Sequence, residues 1–379
     1  MTIQNETESP FDRPAVTATL SALRGGHPGT LTELASRTGL SRPTVEDALA
    51  RLSGLRVVEE LAPEQGGGKV GRPARQYRFR PEAGVVLGLD IGEHRLVALL
   101  ADLTGATLTI TTHPVHATDS GDARMAAARE AIRAALTAVG RTRADLWAAV
   151  AGTAGIVDAE GRVIRSDVLP DWTGRNLAGQ LRRSLACPVR VENDANLAAL
   201  AEHWRGVAVG VDDVIYVHAS HRLGAGILIG GRVHRGFGGA AGEIGSLRLL
   251  HWDSAARHLA RIDQPVADDD LDTVAEHIFA RARAGETEAL ATVEEFAHDL
   301  AAGFAAMAST IDPELVIIGG RAARGGEVLT VAVERRLSTL CARPPRIALS
   351  ILDDEAVALG AVRTAVDHVE REIFKLNRS

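Results

Sequence analysis

The sequence predicts an α/β fold in two parts: an N-terminal winged helix-turn-helix module, followed by a larger body made of two related α/β halves. Three observations predict it. Residues 30–52 have the spacing of two short helices joined at Gly39. Residues 57–79 read as two strands with a glycine-rich connection. Residues 85–352 hold two successions of three strands followed by alternating strands and helices, which indicates a duplicated body with a cleft between its lobes.

Composition is that of an ordinary α/β protein. The chain has 379 residues, 46% apolar and 24% charged, and its length predicts two or three domains. Cys187 and Cys341 lie far apart and form no disulfide framework, which fits a reducing compartment. There is no signal-peptide pattern, and no run approaches about 18 apolar residues. We therefore expect a soluble cytoplasmic protein with no membrane partner.

Charge is unevenly distributed along the chain, whose net charge is −7. Residues 13–80 carry eleven Arg and Lys against six Asp and Glu, a net charge of +5, and residues 81–379 carry −9. A basic module on an acidic body suits a DNA-binding protein, because attraction to phosphate supplies most non-specific affinity. The alternative is a chance scatter of charge within a short segment.

The first two helices of the module are predicted at Ala15–Arg24 and Thr32–Arg37. Gly25-Gly26 ends the first helix, and Gly39 supplies the next turn because a positive φ costs glycine little. Ser41 then caps a third helix. Apolar residues recur on one face of the first and third helices and predict an inward-packed face. They are Val16, Leu20 and Leu23, then Val45, Ala48, Leu49 and Leu52.

That packing leaves Ser41, Arg42 and Thr44 exposed at the start of the third helix, where a recognition helix presents side chains to base edges. Val57–Leu61 and Gln76–Phe79 are predicted strands, and the basic glycine-rich loop between them is typical of a wing. The alternative is a helical interaction domain with a flexible hairpin. The wing residues expected to reach phosphate or the minor groove are Lys69, Arg72 and Arg75.

The body begins after a short linker, and aliphatic runs bounded by turn residues predict its strands. The first half has strands at Val85–Asp90, Leu96–Asp102, Thr107–Val115, Leu146–Ala151 and Pro188–Glu192. The second has them at Asp213–Ala219, Gly224–Ile229, Arg232–His234, Glu314–Ile318 and Arg346–Leu352. Helices are predicted at 122–139, Ala195–Trp204, 271–284, 288–311 and onward from Glu355. The expected domains are 13–80, 84–205 and 206–370, the last including the C-terminal helix.

Several body segments resemble motifs of the ROK family, a group of repressors and sugar kinases built on a two-lobed, actin-like ATPase fold. Residues 191–200 read V-E-N-D-A-N-L-A-A-L, and residues 238–245 read G-G-A-A-G-E-I-G. Residues 169–172 look like the family's L-P-x-W turn, and residues 311–320 look like its adenosine-side segment. The resemblance spans about residues 84–370 in the family's order, and the Gly-Arg-Pro at 71–73 is similar to the wings of its transcriptional members.

The resemblance implies a sugar site. In the family's kinases, the Asn and Asp of the N-D pair bind sugar hydroxyls, the Asp is the general base, and the Glu of G-E-I-G also binds the sugar. These roles carry over to Asn193, Asp194 and Glu243. Paired oxygen and nitrogen atoms of amides and carboxylates suit adjacent hydroxyls. The alternative for Asp194 is a purely structural cap of the helix that follows it.

The nucleotide side departs from the family's pattern. Family kinases have D-I-G-G-T, whose small residues let backbone N–H groups approach ATP phosphates. Here Glu93 replaces a glycine and His94 replaces the threonine. A carboxylate about 4 Å from a phosphate charge costs roughly 4 kcal/mol at an effective dielectric constant near 20. The second loop, from Ser220 to Gly226, lacks two of the family's glycines, and Arg321 replaces a third glycine elsewhere.

The family's structural zinc site is also altered. Its ligands are a His directly after G-E-I-G and three cysteines, whereas this chain has Ser246 and no cysteine between 188 and 340. His251 and His258 alone make a poor zinc site. Val168 stands where the family's kinases have a substrate-binding Asn. We expect no ATP turnover, no cofactor and no metal.

These observations predict a sequence-specific transcriptional regulator, in the first place a repressor, that senses a sugar or sugar derivative in a kinase-like cleft. Activation is equally compatible with these residues. The expected partners are a double-stranded DNA operator, the sugar effector, and a second copy of the chain, since operator half-sites imply two-fold symmetry. One alternative is an active ATP-dependent sugar kinase with a DNA-binding domain, in which Asp194 would be catalytic. The other is a regulator that no longer binds sugar.

Overall fold

The computed structural model describes residues 11–62, 74–220, 223–250, 252, 255, 258 and 271–376. The N-terminal part contains the three predicted helices, α1 (Pro14–Arg24), α2 (Leu31–Thr38) and α3 (Arg42–Gly54). It also contains three short strands, β1 (Gly29–Thr30), β2 (Val58–Leu61) and β3 (Gln76–Phe79), which pair antiparallel in the order β1-β3-β2. The strand β1 was not predicted from the sequence.

Local capping fixes the two helices that meet at the predicted turn. The Thr30 hydroxyl accepts a hydrogen bond from the Glu33 N–H, and the Glu33 carboxylate accepts one from the Thr30 N–H, so α2 begins with a capping box. Gly39 ends α2 with a φ of 68°. Ser41 caps α3 by accepting from the Thr44 N–H. The predicted apolar faces of α1 and α3 are buried together.

The first half of the body is a five-stranded mixed sheet. Its strands are β4 (Val85–Ile91), β5 (Arg95–Asp102), β6 (Thr107–Pro114), β7 (Leu146–Thr153) and β10 (Val189–Asn193), in the order β10-β7-β4-β5-β6. A small hairpin of β8 (Ile156–Val157) and β9 (Val163–Arg165) lies between β7 and β10. The helices α4 (Gly121–Ala138) and α5 (Leu177–Leu185) cover one face, and α6 (Asp194–Arg205) follows β10.

The second half repeats this topology. Its strands are β11 (Val214–Ala219), β12 (Leu223–Ile229), β13 (Arg232–Val233), β14 (Leu315–Gly319) and β15 (Arg346–Leu349), in the order β13-β12-β11-β14-β15. In each half three antiparallel strands are followed by two strands parallel to the first, which confirms the predicted duplication. The helices here are α7 (Leu271–Arg283), α8 (Thr287–Ile311) and α9 (Glu327–Leu340). No helix in the described part of the chain is long and apolar enough to cross a bilayer.

The C-terminal helix α10 (Ala356–His368) differs from expectation in its packing. It follows the second half in sequence, yet its buried residues join those of β4, β5 and β7 in the first sheet. Gly360 permits this approach, because a Cβ there would lie 1.8 Å from the Leu197 carbonyl oxygen on α6. Gly88 of β4 does the same toward the Ala358 carbonyl oxygen, at 2.1 Å. The assignment of α10 to a 206–370 domain stays a prediction, and its described contacts are with the first sheet and α6.

The end of the chain connects the body to the N-terminal part. After α10 a π-helical turn covers Val369–Ile373, and Phe374 follows it fully buried. The Phe374 ring centroid lies 5.2 Å from that of Phe11, 6.1 Å from that of Phe79 and 5.4 Å from that of Trp147. Edge-to-face aromatic contacts of this kind add to the burial of apolar surface. Phe374 therefore holds β3 and the N-terminal segment against β7 of the body.

Arg24 also contributes to the contact between the body and the N-terminal part. Arg24, at the end of α1, forms an ion pair of 2.5 Å with Glu370, and its guanidinium carbon lies 5.0 Å from the Phe79 ring centroid. It also donates to the Leu103 carbonyl oxygen in the β5–β6 turn at 3.4 Å. Both charged side chains are mostly buried, at 13% and 20% exposure. We call this contact the C-terminal joint, made of Phe11, Arg24, Phe79, Trp147, Glu370 and Phe374.

Candidate functional site

The predicted sugar-binding residues meet at the start of α6. Asn193 ends β10 and is the N-cap of α6, because its Oδ1 accepts a hydrogen bond from the Asn196 N–H at 3.1 Å. Its Nδ2 donates to the Gly155 carbonyl oxygen at 3.1 Å. One amide N–H and one oxygen lone pair are left for a ligand. Asp194 is the first helical residue, and its Oδ1 accepts a hydrogen bond from the Ala195 N–H at 2.8 Å, but the N-cap itself is the preceding residue.

Glu192 ties this segment to the second half of the body. Its side chain is 7% exposed and accepts from the Asn193 N–H and the Asn196 side-chain amide, each at 2.9 Å. Its other oxygen accepts from Nε of Arg235, in the loop after β13. Buried acids are tolerated when their oxygens are bonded in this way. Sequence reasoning missed this ion pair, which needs the two halves to be placed side by side.

Glycines in the same loop bring Glu243 to the cleft. Gly239 has a φ of 79°, and a Cβ on it would lie 2.4 Å from the Val157 carbonyl oxygen of β8. Gly242 has a φ of 90°, and a Cβ on it would lie 2.0 Å from the Ala225 carbonyl oxygen. Only glycine fits both positions. The 3-10 turn that begins with Glu243 is thereby pressed against the strands of both halves.

The pKa of Glu243 depends on its burial and on the acids around it. Burial, and then the charges of Asp194 and Asp167, raise the pKa of Glu243, while Arg165 opposes them. The same Asp194 acts on a buried acid of β4: burial first, and then Asp194, raise the pKa of Asp90 to about 7. The charge of Asp194 therefore disfavours the ionised forms of both Asp90 and Glu243. Asp167 was not predicted as a site residue, and no sequence pattern marked it.

The turn at residues 166–173 forms one wall next to these acids. Trp172 is fully buried, and its Nε1 donates to Thr153 Oγ1 at 2.8 Å, which fixes the turn on the end of β7. A cavity of about 370 Å³ lies against residues 166–173. Val168 packs partly buried against the apolar core, so this position offers no polar group to a ligand.

The turn at residues 90–95, which corresponds to the first phosphate loop of the family's kinases, forms hydrogen bonds and an ion pair within the protein. The Gly92 N–H, which a phosphate-binding loop would present to ATP, donates to the Arg95 carbonyl oxygen at 3.0 Å. Arg124 is fully buried on α4, and its guanidinium donates hydrogen bonds to the carbonyl oxygens of Gly92 and Glu93 at 2.5 and 3.0 Å. Arg95 in turn forms an ion pair with Asp354, just ahead of α10. These contacts stabilise the turn.

In the second turn, which follows β11, the described residue Ser220 also forms hydrogen bonds within the protein. Ser220 Oγ accepts from the Arg321 N–H at 3.2 Å and hydrogen-bonds His218 Nε2 at 3.1 Å. Gly320 has a φ of 67°, and a Cβ there would lie 2.6 Å from Ser220 Oγ. Residues 221 and 222 of this turn lie outside the described residues. The side chain of Ser220 thus fills the space between β11 and the end of β14.

Ser246 and His258, which lie in the segment where the family binds its structural zinc, contact other residues of this chain. Ser246 Oγ donates to the Glu243 carbonyl oxygen at 2.8 Å. His258 lies 3.0 Å from Asp299 and 3.2 Å from Glu295, both on α8, and His251 lies outside the described residues. Within the described ranges, no group of three or more His, Cys, Asp and Glu side chains is placed to hold a metal ion.

The predicted DNA-facing residues are exposed where the structure describes them. Ser41, Arg42 and Thr44 all lie at the open end of α3, and Ser41 Oγ is 2.7 Å from Thr44 Oγ1. Arg42 forms no hydrogen bond or ion pair with the described residues, so its guanidinium is available. Arg75, at the base of the hairpin, forms an exposed ion pair of 3.3 Å with Glu60. Lys69 and Arg72 lie outside the described residues.

Comparisons with known proteins agree with this geometry. The ROK family profile matches residues 86–258 and 252–367. A glucokinase of Halalkalibacterium halodurans is 25% identical over 289 residues, 69% of this chain and 87% of the kinase. A xylose repressor of Caldicellulosiruptor bescii is 23% identical over 366 residues, 88% of this chain and 91% of the repressor.

A solved structure has the same fold. It is the crystal structure of a ROK family transcriptional regulator homologous to the E. coli MLC protein. It superposes with a TM-score of 0.69 at 19% identity, over 93% of this chain and 95% of that one. Because the family profile covers most of the chain and the α/β fold is that of the family's sugar kinases and regulators, the chain belongs to the ROK family.

Proposed function

We propose that this chain is a sequence-specific, DNA-binding transcriptional regulator, in the first place a repressor, that senses a sugar or sugar derivative in its cleft. The proposal rests on how much of this chain each of two relatives matches. The likeness to a glucokinase covers 69% of the chain, whereas the likeness to a xylose repressor covers 88%. The longer match takes in N-terminal residues that a sugar kinase of this family does without.

The proposed domains are a winged helix-turn-helix at 13–80 and two lobes at 84–205 and 206–370, with α10 packed on the first. α3 is the proposed recognition helix: Ser41, Arg42 and Thr44 face base edges, and Arg42 has no protein partner in the described ranges to give up. Lys69, Arg72 and Arg75 are the proposed phosphate or minor-groove contacts. The net charge of +5 on residues 13–80 supports this assignment, because a positive charge favours binding to DNA phosphates.

The proposed effector site is built from Asn193, Asp194 and Glu243. Asn193 keeps one N–H and one lone pair for a hydroxyl, and the two acids add acceptors on the facing side. Glu192 and Arg235 are positioning residues, because their ion pair links α6 to the loop that carries Glu243. A sugar that bridges Asp194 and Glu243 would therefore draw the two halves together.

The same proposal treats the protein as a non-enzyme. The Gly92 N–H is already bonded, Glu93 adds negative charge at the turn, and Ser220 fills the second turn. Phosphate groups bind where backbone N–H groups are free and positive, and these contacts at Gly92 and Ser220 count against such binding. The glucokinase likeness keeps sugar phosphorylation as the competing function, with Asp194 as its base.

The test uses full-length protein and a duplex selected from a random DNA pool. We expect selective binding in fluorescence anisotropy, a change in affinity of about tenfold or more with one sugar of a hexose, pentose and hexosamine panel, and loss of that response in Asp194→Asn. Coupled ADP-release assays on the same panel should give no turnover. Sugar-dependent ADP release abolished by Asp194→Asn would establish the kinase instead. Sequence-selective DNA binding that no sugar changes would leave a regulator without a sugar sensor.

A further inference from the structure

The chain passes between the two halves of the body at two places. Residues 206–213 lead from α6 to β11, and residues 350–355 lead from β15 to α10. We call these segments the first crossing and the second crossing. α6 packs on β11 and β12 of the second sheet, whereas α10 packs on the first sheet. A movement of one half against the other must therefore turn the chain at both crossings.

Glu202, in the last turn of α6, lies where the two crossings meet. Its side chain is fully buried. One carboxylate oxygen accepts a hydrogen bond from the Val207 N–H of the first crossing at 2.8 Å, and the other accepts from Ser350 Oγ of the second crossing at 2.5 Å. The N–H groups of Ile351 and Leu352 donate to the same carboxylate. One side chain is thus bonded to both crossings.

The backbone around Glu202 is fitted to this contact. The carbonyl oxygen of Glu202 accepts from the Gly206 N–H at 3.0 Å and from the Ala208 N–H at 3.1 Å, so the first crossing turns at the end of α6. A Cβ on Gly206 would lie 1.9 Å from Glu202 Oε2. Glycine is therefore required at position 206, because the backbone passes too close to the carboxylate for any side chain.

Ser350 extends the contact into the second sheet. Tyr216 on β11 is fully buried, and its hydroxyl group is hydrogen-bonded to the Ser350 side chain and to the Gly320 backbone N–H. Gly319 leaves room for this group, since a Cβ there would lie 2.0 Å from the Tyr216 hydroxyl oxygen. Buried polar groups that satisfy one another in this way make a rigid network. Glu202 is thereby joined to β11 and to the end of β14.

The charge of Glu202 is stabilised by these donors. No arginine, lysine or histidine in the described ranges forms an ion pair with it. A buried carboxylate that loses a donor keeps its desolvation cost without the bond that offset it. A movement that pulls one crossing away from Glu202 is therefore disfavoured, whereas a rotation of both crossings about the carboxylate keeps every bond.

We propose that Glu202 is the positioning residue of the hinge between the lobes. It makes the two crossings move together when the lobes close, and the second crossing then displaces the start of α10, which follows it directly. The inference rests on the proposed sensing function and adds a residue outside the cleft on which the coupling between sugar and DNA depends. Without the carboxylate, each crossing would adapt to closure separately.

Hydrogen exchange of the free, full-length protein tests the link between the crossings without any ligand. Ser350→Ala removes one donor and leaves the carboxylate its backbone donors, so the chain still folds. We expect exchange in the first crossing to become about fivefold faster, although Ser350 lies in the second, while exchange in α4 stays unchanged. Ser184→Ala is the control, since it removes a hydroxyl bonded to the Leu181 carbonyl oxygen on α5. Unchanged exchange in the first crossing of Ser350→Ala would overturn the inference.

Glu202→Gln tests the role in sensing, because it keeps the size of the side chain and replaces one acceptor oxygen with an NH₂ group. We expect the sugar-induced change in DNA affinity to fall from about tenfold to about threefold or less. Sugar should bind the free variant at least as tightly as wild type, since closure no longer has to move α10. If Glu202→Gln does not fold, Ser350→Ala replaces it in this assay.

The outcomes separate this inference from the proposed function. A full sugar response in the variant, or a response reduced only in proportion to weaker sugar binding, would overturn the role of Glu202 and leave the sensor standing. A wild-type protein whose DNA affinity no sugar changes would contradict the proposed function. In that case the exchange experiment still decides whether Glu202 joins the two crossings.

Discussion

Burial of Asp90 and the charge of Asp194 have the same effect on the ionisation of the Asp90 carboxyl group. Both disfavour its ionised form, and together they raise its pKa from 3.8 to about 7. The folded chain therefore binds a proton that the unfolded chain releases between these two values. Stability is lost over this window as pH rises, because the folded state must accept a buried charge. Below the window both states are protonated and Asp90 has no effect.

Asp90→Asn is accordingly expected to stabilise the apo protein at alkaline pH and to be nearly neutral at about pH 4. The full effect of a three-unit shift is roughly 4 kcal/mol, reached above pH 7. Urea unfolding at pH 5 and pH 8 measures it as a difference in the free energy of unfolding between variant and wild type. A difference of the same size at both pH values would show that the raised pKa of Asp90 is not its cause.

Arg42 is expected to read sequence, and Arg72 to bind the DNA backbone. Arg42→Ala should cost about 1–3 kcal/mol on the selected duplex and little on random DNA. Arg72→Ala should weaken both to a similar degree and lower the salt dependence of binding. Arg343→Ala is the control, since it removes an equal charge from an 85% exposed side chain of the body. Equal losses from Arg42→Ala on both duplexes would contradict its role in sequence readout.

At the scale of elements, α6 and α10 form the centre of the body. α6 begins at the proposed effector site and packs on β11 and β12 of the second sheet, while α10 packs on α6 and on the first sheet. Their closest approach is at Gly360, against the Leu197 carbonyl oxygen. Close-packed helices transmit displacement because their interface has no free volume to absorb it.

Gly360→Ala is therefore expected to destabilise the protein by about 3 kcal/mol or more, because the added methyl group meets rigid backbone of α6. Gly54→Ala, at the end of α3, meets no atom within 4 Å and should change stability by less than about 0.5 kcal/mol. Thermal unfolding of the two variants beside wild type makes the comparison. Similar melting temperatures for all three would mean that the two helices can separate at little cost.

Sequence patterns predicted elements whose signal is local. Capping residues and apolar periodicity placed α1, α2 and α3, and aliphatic runs placed the strands of both sheets. The strand β1 is two residues long and exists through its pairing with β3, which no local pattern reveals. The helix α9 was missed because Val328, Thr330, Val331 and Val333 favour strands, although tertiary packing makes this segment helical.

The site was predictable only as far as its motifs. Asn193, Asp194 and Glu243 were singled out from two short segments, and the structure brings Asp194 and Glu243 close enough to alter the pKa of Glu243. A shift of one residue in the start of α6 changes which residue is its N-cap, and sequence patterns do not define helix ends that closely. The ion pair of Glu192 with Arg235 joins residues 43 positions apart, so it follows from the arrangement of the halves.

At the scale of the whole molecule, one path connects the cleft with the proposed DNA-binding module. Asp354 and Arg95 lie near Asp90, α10 begins two residues later, and the same helix leads to the C-terminal joint. A sugar changes DNA affinity only if it binds one arrangement of the lobes better than the other. We expect α10 to carry that difference to α1 and β3 through the joint.

Glu370→Gln tests this path, because it removes the partner of Arg24 in the joint without touching the cleft. We expect a loss of about 1–3 kcal/mol in stability, and a reduction of at least threefold in the sugar-induced change of DNA affinity. The dissociation constant for the sugar alone should change by less than twofold. The exposed Glu372→Gln is the matched control. An unaltered sugar response in Glu370→Gln would exclude the joint as the route.

The most direct test of sugar sensing is reciprocity between the two ligands. Calorimetry would measure the affinity of the effector sugar for the free protein and for the protein saturated with its selected duplex. If occupancy of the cleft disfavours the DNA-bound arrangement, DNA must weaken sugar binding by the factor by which sugar weakens DNA binding, about tenfold. Equal sugar affinities with and without DNA would contradict the account.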